Sequence, residues 1–139
     1  MDFEYRVVDN EVVITKINNP LPKISFPNEI EGMPVTKLEG PLVIRKQRNT
    51  VEEIYLPDSM QVLGEYAIYD FHYLKKLHIN QGLKKIEKYG IYTCPDLHHI
   101  VIPSSVETID ELGVGYYYEH GRSYKQRFVK IEILEKTRI

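Results

Sequence analysis

The chain has 139 residues, enough for one domain and too few for two comfortable ones. With 42% hydrophobic and 27% charged residues and a formal net charge of −2, no global field directs it to nucleic acid or to an anionic membrane. No stretch approaches the ~20 apolar residues of a membrane-spanning helix, and a single cysteine, Cys94, excludes an internal disulfide.

In chain order, the first segment is Met1-Asp2-Phe3-Glu4-Tyr5. It lacks the basic start and apolar run of a secretory signal, which implies a cytoplasmic protein if Met1 is the native start and a signal already removed otherwise. Residues 4–8 and 11–16 alternate around Asp9-Asn10, a pattern that predicts a β-hairpin. Ile24-Ser25-Phe26-Pro27 and Val35-Thr36-Lys37-Leu38 then resemble stretches found again downstream, and residues 40–49 form an insertion with a basic end.

Three units follow without gaps, opening at Val51, Leu74 and Leu97, 23 residues apart. Their columns agree: Ile54, Leu77 and Ile100; Leu56, Ile79 and Ile102; Leu63, Ile86 and Ile109. Ala67, Gly90 and Gly113 form a small-residue column, followed by Ile68, Ile91 and Val114. Leu-x-x-Leu-x-Leu points its aliphatic residues to one side and reads as a strand that Pro57 and Pro103 terminate. A second extended piece carries Val62-Leu63, Lys85-Ile86 and Thr108-Ile109, and the Ala/Gly-aliphatic pair reads as a helical turn facing the core. Small residues there would let the backbone approach the neighbouring coil. One such unit cannot bury its own apolar side, so successive units must stack, strand on parallel strand.

After the third unit the period breaks. Ile131 restates Ile100 after 31 residues instead of 23, and the surplus holds Tyr116, Tyr117, Tyr118, Arg122 and Tyr124. Insertions in repeat arrays become loops on one face and often bind. The strand pattern returns over residues 128–133, and the chain stops directly after it.

These columns resemble the BspA-type leucine-rich repeat, a bacterial variety with units of this length. The likeness rests on Ile100-Val101-Ile102-Pro103-Ser104-Ser105-Val106-Glu107-Thr108-Ile109, on Leu63-Gly64-Glu65-Tyr66-Ala67-Ile68, and on Cys94 in the family's cysteine slot. Ile30-Glu31-Gly32-Met33-Pro34-Val35-Thr36-Lys37-Leu38 is similar to the usual first repeat. Ile68, Ile91 and Val114 stand where the family has phenylalanine, and only Leu63 keeps the glycine that should follow it. The resemblance implies a right-handed leucine-rich-repeat solenoid of four or five coils, with parallel β-strands, short helical turns and an N-terminal β-hairpin cap. We expect a single domain over 1–139, with 1–23 as the cap and 24–139 as repeats. It also implies an interaction protein of the bacterial surface or a secreted one, with adhesion as a typical role.

Exposed strand positions stack into further columns: Glu52, Lys75, His98 and Val129; Glu53, Lys76, His99 and Lys130; Tyr55, His78, Val101 and Glu132. Glu52–Lys75 and Glu53–Lys76 are expected to pair across strands, at roughly 0.2–1 kcal/mol each. This face is either a solvated surface or a recognition surface. His78, His98 and His99 invite a metal, but Lys75 and Lys76 on the adjoining strand oppose a divalent ion, so no metal and no cofactor is assigned. Cys94 reads as a small buried hydrophobe. No hydrolase, phosphate-loop or metalloprotease signature occurs, so a non-enzymatic binding module is expected, with a small enzyme of dispersed site as the remote alternative. The candidate contact residues are Tyr55, Lys76, His78, His98 and His99 on the strand face and Tyr116, Tyr117, Tyr118, Arg122 and Tyr124 in the insertion. The partner is a protein or a glycan, with a homodimer through the C-terminal end as a further option, because an unprotected strand edge promotes association. A cytosolic regulatory or immunity-like binder is the alternative setting.

Overall fold

The computed structural model describes residues 1–119, 121–125 and 130–133. The chain winds into about four turns of a parallel-strand solenoid, each turn placing short strands on three faces. The first face carries Lys23–Ser25, Glu53–Tyr55, Lys76–His78 and His99–Ile102. The second carries Met33–Leu38, Val62–Leu63, Lys85–Ile86 and Thr108–Ile109. The third carries Ile68–Tyr69, Ile91–Tyr92 and Val114–Glu119.

The register follows the aliphatic columns. Ile24 pairs with Ile54 and Ile54 with Leu77. Leu38, Leu63, Ile86 and Ile109 pair in succession on the second face, as do Ile68, Ile91 and Val114 on the third. Their side chains meet inside, and Ile54, Leu63, Ile68, Ile86 and Ile91 are fully shielded from solvent. Each such burial is worth about 1.5–3 kcal/mol, and neighbouring coils supply the cover.

Two local expectations change, and two others gain detail. The Ala/Gly-aliphatic pairs begin strands rather than helical turns. A single hydrogen-bonded turn precedes each strand, closed by Ala67 N to Gly64 O, Gly90 N to Glu87 O and Gly113 N to Asp110 O at 2.9–3.1 Å. One turn is too short to propagate a helix. The next coil takes up the backbone instead, Ile68 N donating to Gly90 O at 2.9 Å and Ile91 N to Gly113 O at 2.8 Å. Among the described residues the only helical segment is the 3-10 turn Arg45–Thr50 in the first insertion.

The small-residue column is confined both by its own turn and by the neighbouring coil. A Cβ added at Gly113 would lie 2.7 Å from Asp110 O and 2.9 Å from an Ile109 methyl of its own turn, and 3.3 Å from Glu87 O of the neighbouring coil.

The N-terminal hairpin lies at the end of the second face. Its strands are Asp2–Val8 and Glu11–Asn18, joined by Asp9 and Asn10 at φ of 51° and 62°, the left-handed pair that a two-residue turn requires. Glu11–Asn18 runs parallel to Met33–Leu38 and so opens the second face. Asp2–Val8 is left as the outer strand, with Asp2, Glu4 and Arg6 exposed along it.

Finally, the second insertion is a β-hairpin rather than a loop. Val114–Glu119 pairs antiparallel with Arg122–Lys125, Tyr117 opposite Tyr124, and extends the third face by one strand. Lys130–Ile133 then returns beside His99–Ile102 with Ile131 opposite Ile100. Val129, residues 126–128 and the terminal residues 134–139 lie outside the described residues, and with them the expected dimer end.

Candidate functional site

Two faces present unusual chemistry. On the first, Tyr55 is the centre of a small assembly. Its hydroxyl donates to Glu53 Oε1 at 2.8 Å. The Lys23 and Lys76 ammonium groups lie 4.9 and 5.4 Å from its ring centre, and the His78 ring stacks beside it at 6.0 Å. Glu53 and Lys76 share a register position, yet they do not form the expected ion pair. The ring between them takes the cation on its negative face and the phenol occupies the carboxylate. Glu52 and Lys75 do approach, Oε1 to Nζ at 3.7 Å, as an exposed pair worth little.

The ladder on this face is interrupted. Lys76–His78 ends one three-stranded sheet, and His99–Ile102 begins another with Lys130–Ile133. Phe26 N donates to Tyr55 O and Leu56 N to His78 O, both at 3.1 Å; no corresponding bond joins Ile79 to Val101. The second and third faces stay laddered across the same step. A groove of about 530 Å³ opens there, with Leu77, Ile79 and Val101 beneath and Lys75, Lys76, His78 and His99 beside it. His98, exposed, immediately precedes the last of these strands. Among the described residues no three His, Cys, Asp or Glu side chains come together.

The third face is aromatic. Tyr66 stacks on Tyr89 at 5.1 Å and Tyr69 on Tyr92 at 6.1 Å, while Tyr66–Tyr69 and Tyr89–Tyr92 meet edge to face at 4.9 and 4.8 Å. The Arg48 guanidinium, from the 3-10 turn, lies 5.1 Å over Tyr69, and the Lys88 ammonium 5.1 Å over Tyr89. Arg48 also pairs with Asp70, whose other oxygen meets His72 Nε2 at 2.5 Å. Loss of hydration among the neighbouring rings raises the Tyr66 phenol above its ordinary pKa. The backbone of the insertion continues this face, with Tyr116 opposite Tyr92. The side chains of Tyr116, Tyr117, Tyr118 and Tyr124 lie outside what is described; Arg122 is exposed. In all, eight of the eleven tyrosines belong to this sheet or the corners that lead into it.

Residues 46–113 match the family described as the BspA type leucine rich repeat region, in six copies. These residues are BspA-type leucine-rich repeats. Its fold is similar to that of a leucine rich repeat protein from T. pallidum, at TM-score 0.68 and 22% identity over 78% of this chain and 51% of that one. A leucine-rich repeat protein from Bacteroides ovatus matches at 0.61 and 20%, over 79% of this chain and 30% of its own. A leucine rich cell surface protein from Faecalibacterium prausnitzii matches at 0.58 and 18%, over 97% and 42%. The chain therefore spans about half or less of each of these structures. No curated protein matches it by sequence.

Within the repeats, two slots are instructive. Cys94 is fully buried, its thiol 3.6 Å from Ile68 O of the preceding coil, and burial pushes its pKa up to about 12. It is an inert packing group. Asn80 replaces the strand-ending proline of Pro57 and Pro103, and its Nδ2 donates to Met60 O at 3.0 Å, tying two coils together. The repeat spacing matches the observed register of Tyr55 with His78 and of Glu53 with Lys76, but Tyr66, Tyr69, Tyr89 and Tyr92 are not among the sequence candidates. Their signal was the same 23-residue spacing that marks the aliphatic columns.

Proposed function

We propose that this chain is a non-enzymatic protein-binding module whose tyrosine-rich third face is its principal contact surface. The observation that carries the reading is the gathering of eight of eleven tyrosines on one sheet and its corners, with Arg48, Lys88 and Arg122 among them. Tyrosine and arginine dominate protein interface hot spots, because they bring large contact area at low rotamer cost with a polar tip. Leucine-rich repeats of this kind point the same way, to a protein-interaction scaffold.

A glycan fits this face less well. A sugar stacks on an open ring face, whereas here the faces cover one another and Arg48 and Lys88 cover two more. Tyr66, Tyr69 and Tyr89 stay partly exposed while Tyr92 is buried, so the packed cluster offers a firm, amphipathic surface to a protein partner. The cell-surface name of the Faecalibacterium prausnitzii structure supports a bacterial surface or secreted setting.

The test is affinity capture from native extract by wild type, by a Tyr69→Ser/Lys88→Glu variant and by a chain lacking residues 116–126, with circular dichroism as the folding control. A partner retained by wild type and lost by both folded variants is expected. Equal capture by all three would remove this face from consideration.

A further inference from the structure

We propose that the groove between Lys76–His78 and His99–Ile102 is a second binding site, on a different face from the tyrosines, for an extended acidic segment of a partner protein that carries an apolar side chain between its carboxylates.

Three observations lead there. First, the groove exists because strand pairing stops at one step on one face. Leu56 N reaches His78 O, but Ile79 and Val101 do not repeat that bond, although the other two faces remain paired at the same step. Second, its floor is apolar and partly wet. Leu77 keeps 7% of its surface where Ile54, its equivalent one coil earlier, keeps none; Ile79 keeps 8% where Leu56 keeps 5%, and Val101 keeps 36%. Covering that residue of apolar surface favours a ligand with an aliphatic or aromatic group.

Third, the charged side chains among its described lining residues are cationic. Lys75 and Lys76 line it, both exposed, beside the rings of His78 and His99, and no carboxylate is among the described lining residues. Glu52 and Glu53 lie one strand away; Glu53 is held by the Tyr55 hydroxyl and Glu52 sits 3.7 Å from Lys75. With Glu53 held by the phenol and Lys76 left without a carboxylate partner among the described residues, the lysine side of the groove is complementary to an anionic partner. The groove is open to solvent rather than a closed cavity, so a surface segment of a partner can enter it. The strands on either side pack against each other, which leaves no room for an additional hydrogen-bonded strand, so recognition is by side chains.

The experiment uses fluorescence anisotropy with the full chain and three labelled synthetic octapeptides: alternating glutamate and leucine, alternating lysine and leucine, and alternating glutamate and serine. The glutamate–leucine peptide is expected to bind in a salt-sensitive manner and to outcompete both others. Lys76→Glu and, independently, Val101→Glu should each weaken it about tenfold, the loss of one or two modest contacts. Lys88→Glu on the tyrosine face should change nothing. Both groove positions are solvent-exposed, so the variants should fold, with circular dichroism as the check. No binding of the glutamate–leucine peptide overturns the proposal. So does equal binding of the glutamate–serine peptide, which would mean simple attraction of a polyanion, or binding that survives both groove variants. The tyrosine-face reading stands or falls separately, because its variants leave this groove intact.

Discussion

Tyr66 and Tyr89 occupy the same corner of successive coils, with rings stacked 5.1 Å apart and backbone φ of 56° and 60°. Leu112 repeats the corner one coil on, at φ 57°. The left-handed conformation costs a side-chain-bearing residue roughly 1–2 kcal/mol, and the ring stack offsets part of that. Tyr66→Ala keeps the strained backbone and loses the stack, so it should destabilise by about 2 kcal/mol. Tyr66→Gly loses the same stack but relaxes the backbone, and should be milder by about 1 kcal/mol. Urea midpoints of the two variants check this; alanine proving the gentler change would contradict it.

Gly40 and Gly32 should respond very differently to alanine. A Cβ at Gly40 would fall 1.8 Å from the Tyr66 carbonyl oxygen, on backbone that cannot yield without moving the next coil. Gly32 has φ 78° with nothing within 4 Å, so alanine there meets only backbone strain. Gly40→Ala is expected to cost more than about 3 kcal/mol and Gly32→Ala about 1 kcal/mol, read as shifts in thermal midpoint.

Acid should loosen the second face through Glu39. The Arg6 guanidinium, 2.8 Å from its carboxylate, holds Glu39 below the ordinary carboxylate range, with Lys37 assisting and partial burial opposing. A lowered native pKa contributes stability that is complete above the unfolded value and disappears as pH falls through the native one. Stability of the wild type should therefore fall more than that of Glu39→Gln between neutral pH and about pH 3. Parallel acid losses in the two proteins would show that the Arg6 contact does not matter.

Cys94 should resist thiol reagents in the folded protein. Its side chain is fully buried with a pKa near 12, so thiolate is scarce and access requires opening of the stack. Labelling in native buffer should be slower than in strong denaturant by more than about a hundredfold. Rapid native labelling would mean that the third face opens readily.

The sequence disclosed the coil register almost completely, because an aliphatic column is a direct record of which residues share an interior. Ile24 beside Ile54 and Leu38 beside Leu63 were both readable from degraded copies alone. The corners were harder. Ala67-Ile68 and Gly90-Ile91 resemble a helical start, and only the ladder bond from Ile68 N to Gly90 O decides for a strand. Glu53 and Lys76 looked like partners because charge rules count only the two of them; Tyr55, two residues from Glu53, divides them. The interrupted ladder left no mark in the sequence. Leu77 and Ile100 obey the repeat, and spacing along the chain carries no information about how far apart two strands stand.

That interruption has a mechanical meaning. Two seams of the stack are laced at the step between the coil of Lys76–His78 and the coil of His99–Ile102, and the third is not. At that step two rows of backbone hydrogen bonds resist shear between the coils, where the step before it has three. Amide exchange should therefore be faster along His99–Ile102 than along Glu53–Tyr55, because the strand on its inner side is not laddered to it.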